Sequence, residues 1–165
     1  MWNKRGLISV KVLIIGGVAA GTKVAAKLKR EDRSSDVTII TKGKAISYAR
    51  CGLPYYVGNV ITEKEHLIVN TPQKFEKLTG VKVLTEMEVI KVNPEEKTVD
   101  AVNVQSKETY NYGYDKLVIA SGASPIKPPV EGLDLKGVFF MRTPEDAINL
   151  RDSIEQGEIK RAVVV

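Results

Sequence analysis

The residues best suited to chemistry in this 165-residue chain are Ile46-Ser47-Tyr48-Ala49-Arg50-Cys51-Gly52-Leu53-Pro54-Tyr55-Tyr56, which carry its single cysteine. A lone cysteine forms no internal disulfide, so it acts as a free thiol or by pairing with something outside the chain. Arg50 puts a fixed positive charge beside it, and the residues after it are able to begin a helix whose first N–H groups carry partial positive charge. Both favour the thiolate, the form of cysteine that attacks. The alternative is an inert, buried structural cysteine. Ser47, Arg50 and Gly52 make a polar, close-approach setting unlike the apolar wall of such a site, and the reactive reading is preferred.

A second constellation precedes it. Val10-Lys11-Val12-Leu13-Ile14-Ile15 is a nearly continuous apolar run with β-branched bias, expected of a strand buried on both faces. Gly16-Gly17-Val18-Ala19-Ala20-Gly21 follows at once, and Thr22 to Arg30 carries Val24, Ala25 and Leu28 at helical spacing. Strand, glycine turn and helix in that order open a dinucleotide-binding βαβ unit. Small residues let the backbone approach a pyrophosphate, which then sits on the helix N-terminus. Against the G-x-G-x-x-G template Gly16 and Gly21 match, and Val18 stands at the middle glycine. A second strand, Val37 to Thr41, follows the turn Ser34-Ser35-Asp36. The carboxylate expected at its end for ribose hydroxyls is replaced by Thr41 and Lys42, a weaker anchor.

The remaining elements must position these groups. Thr71 reads as an N-cap with Pro72 in the first turn, and Gly80 ends that short helix. Val81-Lys82-Val83-Leu84 is a third strand. From Met87 to Ile119 the apolar period becomes two, with segments at 88–92, 98–104 and 108–112, an antiparallel meander. The alternating Tyr110, Tyr112 and Tyr114 read as one face of that sheet. Asp115 to Ala120 is another buried strand, running into Ser121-Gly122, where either an ordinary turn or a ligand approach is open. Lys127-Pro128-Pro129 reads as an extended connector, and Thr143-Pro144-Glu145-Asp146 starts a helix that Gly157 closes. Arg161 to Val165 is expected to begin a strand, so the chain reads as cut rather than finished. There is no internal repeat or low-complexity tract.

Composition narrows the function classes. With 43% hydrophobic residues the chain is long enough for one globular domain or slightly more. No apolar run approaches the roughly 20 residues of a membrane helix. Met1 to Gly6 begins with charge but leads into strand-like residues without a cleavage site, so no signal peptide is expected. One cysteine suits a reducing, cytoplasmic compartment. The net charge of +5 raises nucleic acid as a partner, but the basic residues are interleaved with 20 acids and no run alternates base with aromatic. A small polyanion such as a nucleotide is the more economical partner; neither nucleic acid nor membrane is expected. His66 lies in no ligand spacing, and no metal site is expected.

Taken together, the motifs resemble the N-terminal part of the single-cysteine pyridine nucleotide-disulfide oxidoreductases. That group includes coenzyme A-disulfide reductases, NADH oxidases, NADH peroxidases and persulfide reductases. The matching pieces are Gly16 to Gly21, Ser47 to Tyr56 around Cys51, Thr71-Pro72, Glu88-Val89, and Tyr114 to Pro125. The resemblance implies an α/β fold: a Rossmann-like FAD-binding parallel sheet with an antiparallel β-meander, incomplete at the C-terminus. It implies residues 1–136 as the N-terminal part of an FAD domain and 137–165 as the start of an NAD(P)H domain.

The resemblance further implies FAD, held by Gly16, Gly17, Ala19, Ala20 and Gly21 at its pyrophosphate, with Thr41 and Lys42 at the ribose. The backbone of Val89 would lie near adenine, and Ser121 and Gly122 against the cofactor. Cys51 would cycle between thiolate and a mixed disulfide, persulfide or sulfenic acid, assisted by Ser47 and Arg50, with NAD(P)H as electron source. Coenzyme A-disulfide reductases carry Ser four residues before the cysteine, matched by Ser47, and Asn directly before it, replaced by Arg50. Peroxidase and oxidase members commonly carry His where this chain has Ala19, which disfavours peroxide or oxygen as the dedicated substrate. Lys23, Lys27 and Arg30 match the helix that holds coenzyme A in such enzymes; a solvated helix face is the alternative. The expected full-length protein is a homodimer reducing a coenzyme A-type disulfide or persulfide. An oxidase using a sulfenic acid, and a nucleotide-binding module without turnover of its own, are the competing readings.

Overall fold

A computed structural model describes residues 9–157 and 159–165. The leader reading at Met1 to Gly6 lies outside the described residues. The chain divides into two compact units: residues through Ser47 together with Asn70–Gly122, and Tyr48–Val69 together with Ala123–Val165.

In the first unit, strand β1 (Lys11–Ile15) runs into helix α1 (Ala20–Glu31) and strand β2 (Asp36–Ile40). Helix α3 (Pro72–Thr79) and strand β3 (Lys82–Leu84) follow the second unit's helix α2 (Leu53–Val57) in the sequence. Strands β4 (Met87–Asn93), β5 (Thr98–Asn103), β6 (Thr109–Gly113) and β7 (Lys116–Ile119) complete it. The parallel sheet has the order β3-β2-β1-β7, and the antiparallel sheet the order β4-β5-β6. The two-residue period of a strand divides the apolar residues of β1 and β2 between two cores. Val12, Ile14, Val37 and Ile39 face Ala25 of α1 and Phe75 of α3. Leu13 and Ile40 face Met87, Val99 and Ala101 of the meander. Because both faces are covered, β1 and β2 read as continuous apolar runs. Ile14, Ile39 and Ile40 have no solvent exposure, and each such burial contributes about 1.5–3 kcal/mol.

Helix α3 has the boundaries its local chemistry sets. The Thr71 hydroxyl accepts from the Lys74 N–H at 3.2 Å, Pro72 opens the helix, and Gly80 closes it at φ 73°. The β4–β5 ladder shifts register between Val89 and Lys91, leaving Ile90 exposed.

In the second unit, a 3-10 turn (Arg50–Gly52) leads into α2, and a second 3-10 turn (Lys64–Leu67) precedes an isolated bridge between Tyr48 and Ile68. Helix α4 (Pro144–Glu155) starts with a complete capping box: Thr143 accepts from the Asp146 N–H, and Asp146 accepts from the Thr143 N–H. Leu53, Tyr56, Leu67 and Ala147 are the unit's core.

The strand expected at Arg161 to Val165 does not form. Those residues carry no strand pairing, and Val163 and Val164 are about fully exposed, at 89% and 95%. An apolar, β-branched run becomes a strand only when a neighbour takes its N–H and C=O groups, and none of the described residues does so here.

Candidate functional site

The glycine turn is built so that side chains are excluded. Gly16 has φ +107°, and a Cβ there would overlap the carbonyl oxygen of Ala120. Its N–H donates to the Ile40 carbonyl at 2.8 Å. A Cβ on Gly17 would come within 2.9 Å of Ile46 Cγ2, and one on Gly21 would overlap the carbonyl oxygen of Gly16. The turn thus packs Gly21, inside the first turn of α1, directly on Gly16. Val18, at the template's middle glycine, is accommodated half-buried, with its carbonyl accepting from the Thr22 hydroxyl.

Helix α1 begins at Ala20 with Ala19 as a cap that offers no side-chain acceptor, and its first turn holds no acid. Its first N–H groups therefore lack intrahelical partners and point where an anion is favoured. Ala19 and Ala20 are exposed. The residues present fit a dinucleotide pyrophosphate: a close-packed backbone, an uncapped helix start, and no acid in the first turn to oppose it.

Thr41 is 8% exposed and bonded on both sides, its N–H donating to Leu84 at 2.9 Å and its carbonyl accepting from Met87 at 3.0 Å. Its Cγ2 lies 3.2 Å from the position a Gly17 Cβ would take, so Thr41 packs beside the turn. Lys42 is exposed, and its Nζ donates to Glu88 Oε1 at 2.9 Å. Glu88 is a carboxylate that sequence reasoning assigned no role, although the end of β2 lacks the acid of the template. Its only signal was adjacency to Val89. Val89 itself is half-buried against the Leu13 and Ile40 core.

At the carboxyl end of β7 the Ala120 N–H donates to Ile15 at 2.8 Å, which sets Ala120 against Gly16. Ser121 and Gly122 follow, exposed, with Gly122 at φ 78°. Lys23, Lys27 and Arg30 lie on the exposed side of α1, opposite its buried Thr22 and Ala25. Lys27 is paired with Glu31 at 2.6 Å, one turn further along. Ser47 belongs to the same unit. Its N–H donates to the Gly17 carbonyl at 3.0 Å, and it is held at φ 49°.

Cys51 is a free, exposed thiol in the second unit. Its turn is fixed on both flanks: Ala49 N–H donates to Leu67 at 2.9 Å, and Gly52 N–H donates to Ala49 at 2.9 Å. Gly52 is buried, and a Cβ there would come within 3.3 Å of Ile61 Cδ1. Arg50 is exposed and its guanidinium carbon lies 5.9 Å from the centre of the Tyr48 ring. The inert reading requires a sulfur walled in by aliphatic side chains, and the exposure of Cys51 speaks against it. His66 is exposed, and its backbone N–H donates to Glu63 at 3.1 Å.

The parallel sheet and the glycine turn ahead of α1 define a Rossmann-like α/β protein. The chain belongs to the pyridine nucleotide-disulphide oxidoreductase family, whose model matches residues 10–165. It is 36% identical over 155 residues to the coenzyme A disulfide reductase of Staphylococcus haemolyticus, covering 94% of this chain and 34% of that protein. It is 35% identical over 156 residues to the NADH oxidase of Methanocaldococcus jannaschii, covering 94% and 35%. Among solved structures it is similar to reduced CoADR-RHD of Bacillus anthracis, with a TM-score of 0.88 and 39% identity over 91% of this chain and 27% of that one. The chain thus spans about a third of the length of the curated relatives it matches. The Rossmann-like α/β fold and the antiparallel meander agree with the expectation from sequence.

Proposed function

We propose that the chain is the FAD-binding and thiol-bearing part of an NAD(P)H-dependent oxidoreductase that reduces a coenzyme A-type disulfide or persulfide through Cys51. In this reading residues 1–136 belong to the FAD domain and 137–165 open the NAD(P)H domain. The observation that carries it is the exposure of the chain's only sulfhydryl, in a turn fixed by hydrogen bonds on both sides. A thiolate there is free to attack one sulfur of a disulfide. The Cys51–substrate S–S bond forms as the substrate's own S–S bond breaks, and one thiol leaves. FAD, when bound, supplies two electrons drawn from NAD(P)H to cleave that mixed disulfide.

The chain's own residues do the rest. Gly16, Gly17 and Gly21 give the pyrophosphate its backbone approach, and the uncapped start of α1 at Ala19 and Ala20 offers N–H donors. Thr41, Lys42, Val89, Ser121 and Gly122 line the remainder of the nucleotide. Ser47 and Arg50 precede the attacking sulfur in the sequence, and Lys23, Lys27 and Arg30 meet the substrate's phosphates. A reducing, cytoplasmic compartment suits the single free cysteine, and in this reading the full-length protein is a homodimer. Among the described residues, no helix is long and apolar enough to cross a membrane.

An oxidase cycling Cys51 through sulfenic acid is the second reading, favoured by the identity to a protein named NADH oxidase. Ala19 weighs against it, since that position holds no imidazole. The test is a rate comparison on the protein at the full length of its relatives. Faster NAD(P)H consumption with coenzyme A disulfide than with oxygen is expected; the reverse order overturns the reading in favour of the oxidase. For the 165-residue chain, a binding module without turnover is the expected behaviour. Bleaching of the flavin absorbance by NADH would exclude it.

A further inference from the structure

We propose that Arg151 is the positioning residue of the Cys51 turn, fastening from α4 the segment on which that turn rests. The inference deepens the reading of Cys51 as the reactive thiol and rests on it.

Arg151 has a side chain only 12% exposed, and its guanidinium is used from end to end. Nη1 reaches the carbonyl oxygens of Tyr56 at 3.3 Å, Ile61 at 3.0 Å and Thr62 at 3.1 Å. Nη2 donates to Asn59 Oδ1 at 2.8 Å, and Nε donates to Glu155 Oε1 at 2.7 Å. The guanidinium carbon also lies 4.5 Å from the centre of the Tyr56 ring. Every acceptor other than Glu155 lies between Tyr56 and Thr62, the stretch by which the chain leaves α2.

That stretch needs an outside partner. Helix α2 has five residues, too few to be stable alone; the Pro54, Tyr55 and Tyr56 carbonyls accept N–H groups of the following turn, and the carbonyls of Tyr56, Ile61 and Thr62 take further donors from α4. Arg151 supplies donors to these groups and closes them off with a charge that does not titrate in the working range. The path from the guanidinium to the thiol is short. Ile61, whose carbonyl Arg151 holds, presents Cδ1 to Gly52 as its nearest side-chain neighbour. Gly52 is the residue after Cys51. Leu53 and Tyr56 share a core with Ala147 and Ile148, so α4 backs the whole segment. Cys51 itself is exposed. A held turn keeps the sulfur in one presentation; a released turn averages it over many. Lysine cannot substitute, because a single ammonium does not reach this fork of acceptors.

The test is the rate of Cys51 alkylation by iodoacetamide, measured at one pH in the intact chain beside a model thiol. Arg151→Met is expected to slow alkylation severalfold. Arg151→Lys, which keeps the charge and loses the fork, should fall between Met and wild type. Folded Arg151→Met protein reacting at the wild-type rate overturns the proposal, as does Arg151→Lys reacting no differently from Arg151→Met. If Arg151→Met does not fold, Asn59→Gly removes one acceptor at a position already at φ 59°. A smaller slowing is then expected, and an unchanged rate counts against the role. Failure of the underlying reading is seen separately, as wild-type Cys51 reacting no faster than the model thiol.

Discussion

The N–H of Ser47 donates to the carbonyl of Gly17 at 3.0 Å, joining the residue at the end of the first unit's opening segment to the glycine turn. The bond is made by the backbone, so it does not require serine. Ser47 also sits at φ 49°, a conformation that costs a residue with a Cβ about 1–2 kcal/mol. Ser47→Gly should keep the bond and raise stability by roughly 0.5 kcal/mol, the relieved strain less the extra unfolded-state entropy of glycine. The same substitution should slow reduction of coenzyme A disulfide by the full-length protein severalfold. Equal rates for wild type and the Ser47→Gly variant would remove the hydroxyl from the mechanism.

Gly21 offers the sharpest test of the nucleotide turn. Its missing Cβ is the space occupied by the carbonyl oxygen of Gly16. Gly21→Ala must push the turn and the start of α1 apart, at a cost of about 2 kcal/mol or more, in the range of overpacked sites. The expected result is protein without flavin absorbance and with a lower Tm. Retained flavin at the wild-type ratio would mean that the pyrophosphate does not lie on this turn.

At the end of β2, Thr41 stands where a carboxylate would bind ribose hydroxyls. If the adenosine lies there, Thr41→Glu should tighten FAD about tenfold, the ~1.5 kcal/mol of a hydrogen bond to a charged group. Equilibrium dialysis of FAD measures it. Weaker binding would show that the packing of Thr41 beside Gly17 matters more than the lost charge.

Asp100 on β5 should govern part of the acid sensitivity of the meander. Its carboxylate accepts hydrogen bonds from Asn111 at 2.7 Å and Asn93 at 3.2 Å, which hold its pKa below the ordinary 3.8. A carboxyl group depressed in the folded state binds its proton more readily when unfolded. Its stabilisation is therefore complete above pH 3.8 and lost as pH falls through the lower folded value. Asp100→Asn should flatten the stability profile below that pH, read by urea melts. An unchanged acid limb would assign the sensitivity to other groups.

Much of this was legible because it is local. Thr71, Pro72 and Gly80 bracket α3 through contacts only a few residues long, and Thr143 with Asp146 does the same for α4. The alternation from Met87 onward gave the meander because each strand pairs with the next. The first helix starts at Ala20 rather than Thr22, since Gly21 is tolerated inside the turn it packs. What was not legible depends on distant pairing. Strand β7 lies beside β1 although most of the chain separates them, and no local pattern orders them so. Arg161 to Val165 has strand composition but lacks a neighbour to pair with among the described residues. The carboxylate of Glu88 meets Lys42 across two strands. Arg151 finds its acceptors on main-chain carbonyls, which every residue carries and no side-chain pattern reveals.

The central claim is that Cys51 accepts one half of a disulfide substrate. The direct measurement is the intact mass of the purified chain after incubation with coenzyme A disulfide, with released thiol counted in parallel. One coenzyme A bound per chain, mapped to Cys51, with one equivalent of free coenzyme A released, is the predicted result. An unmodified chain and no released thiol, under conditions where a model thiol exchanges, would contradict it.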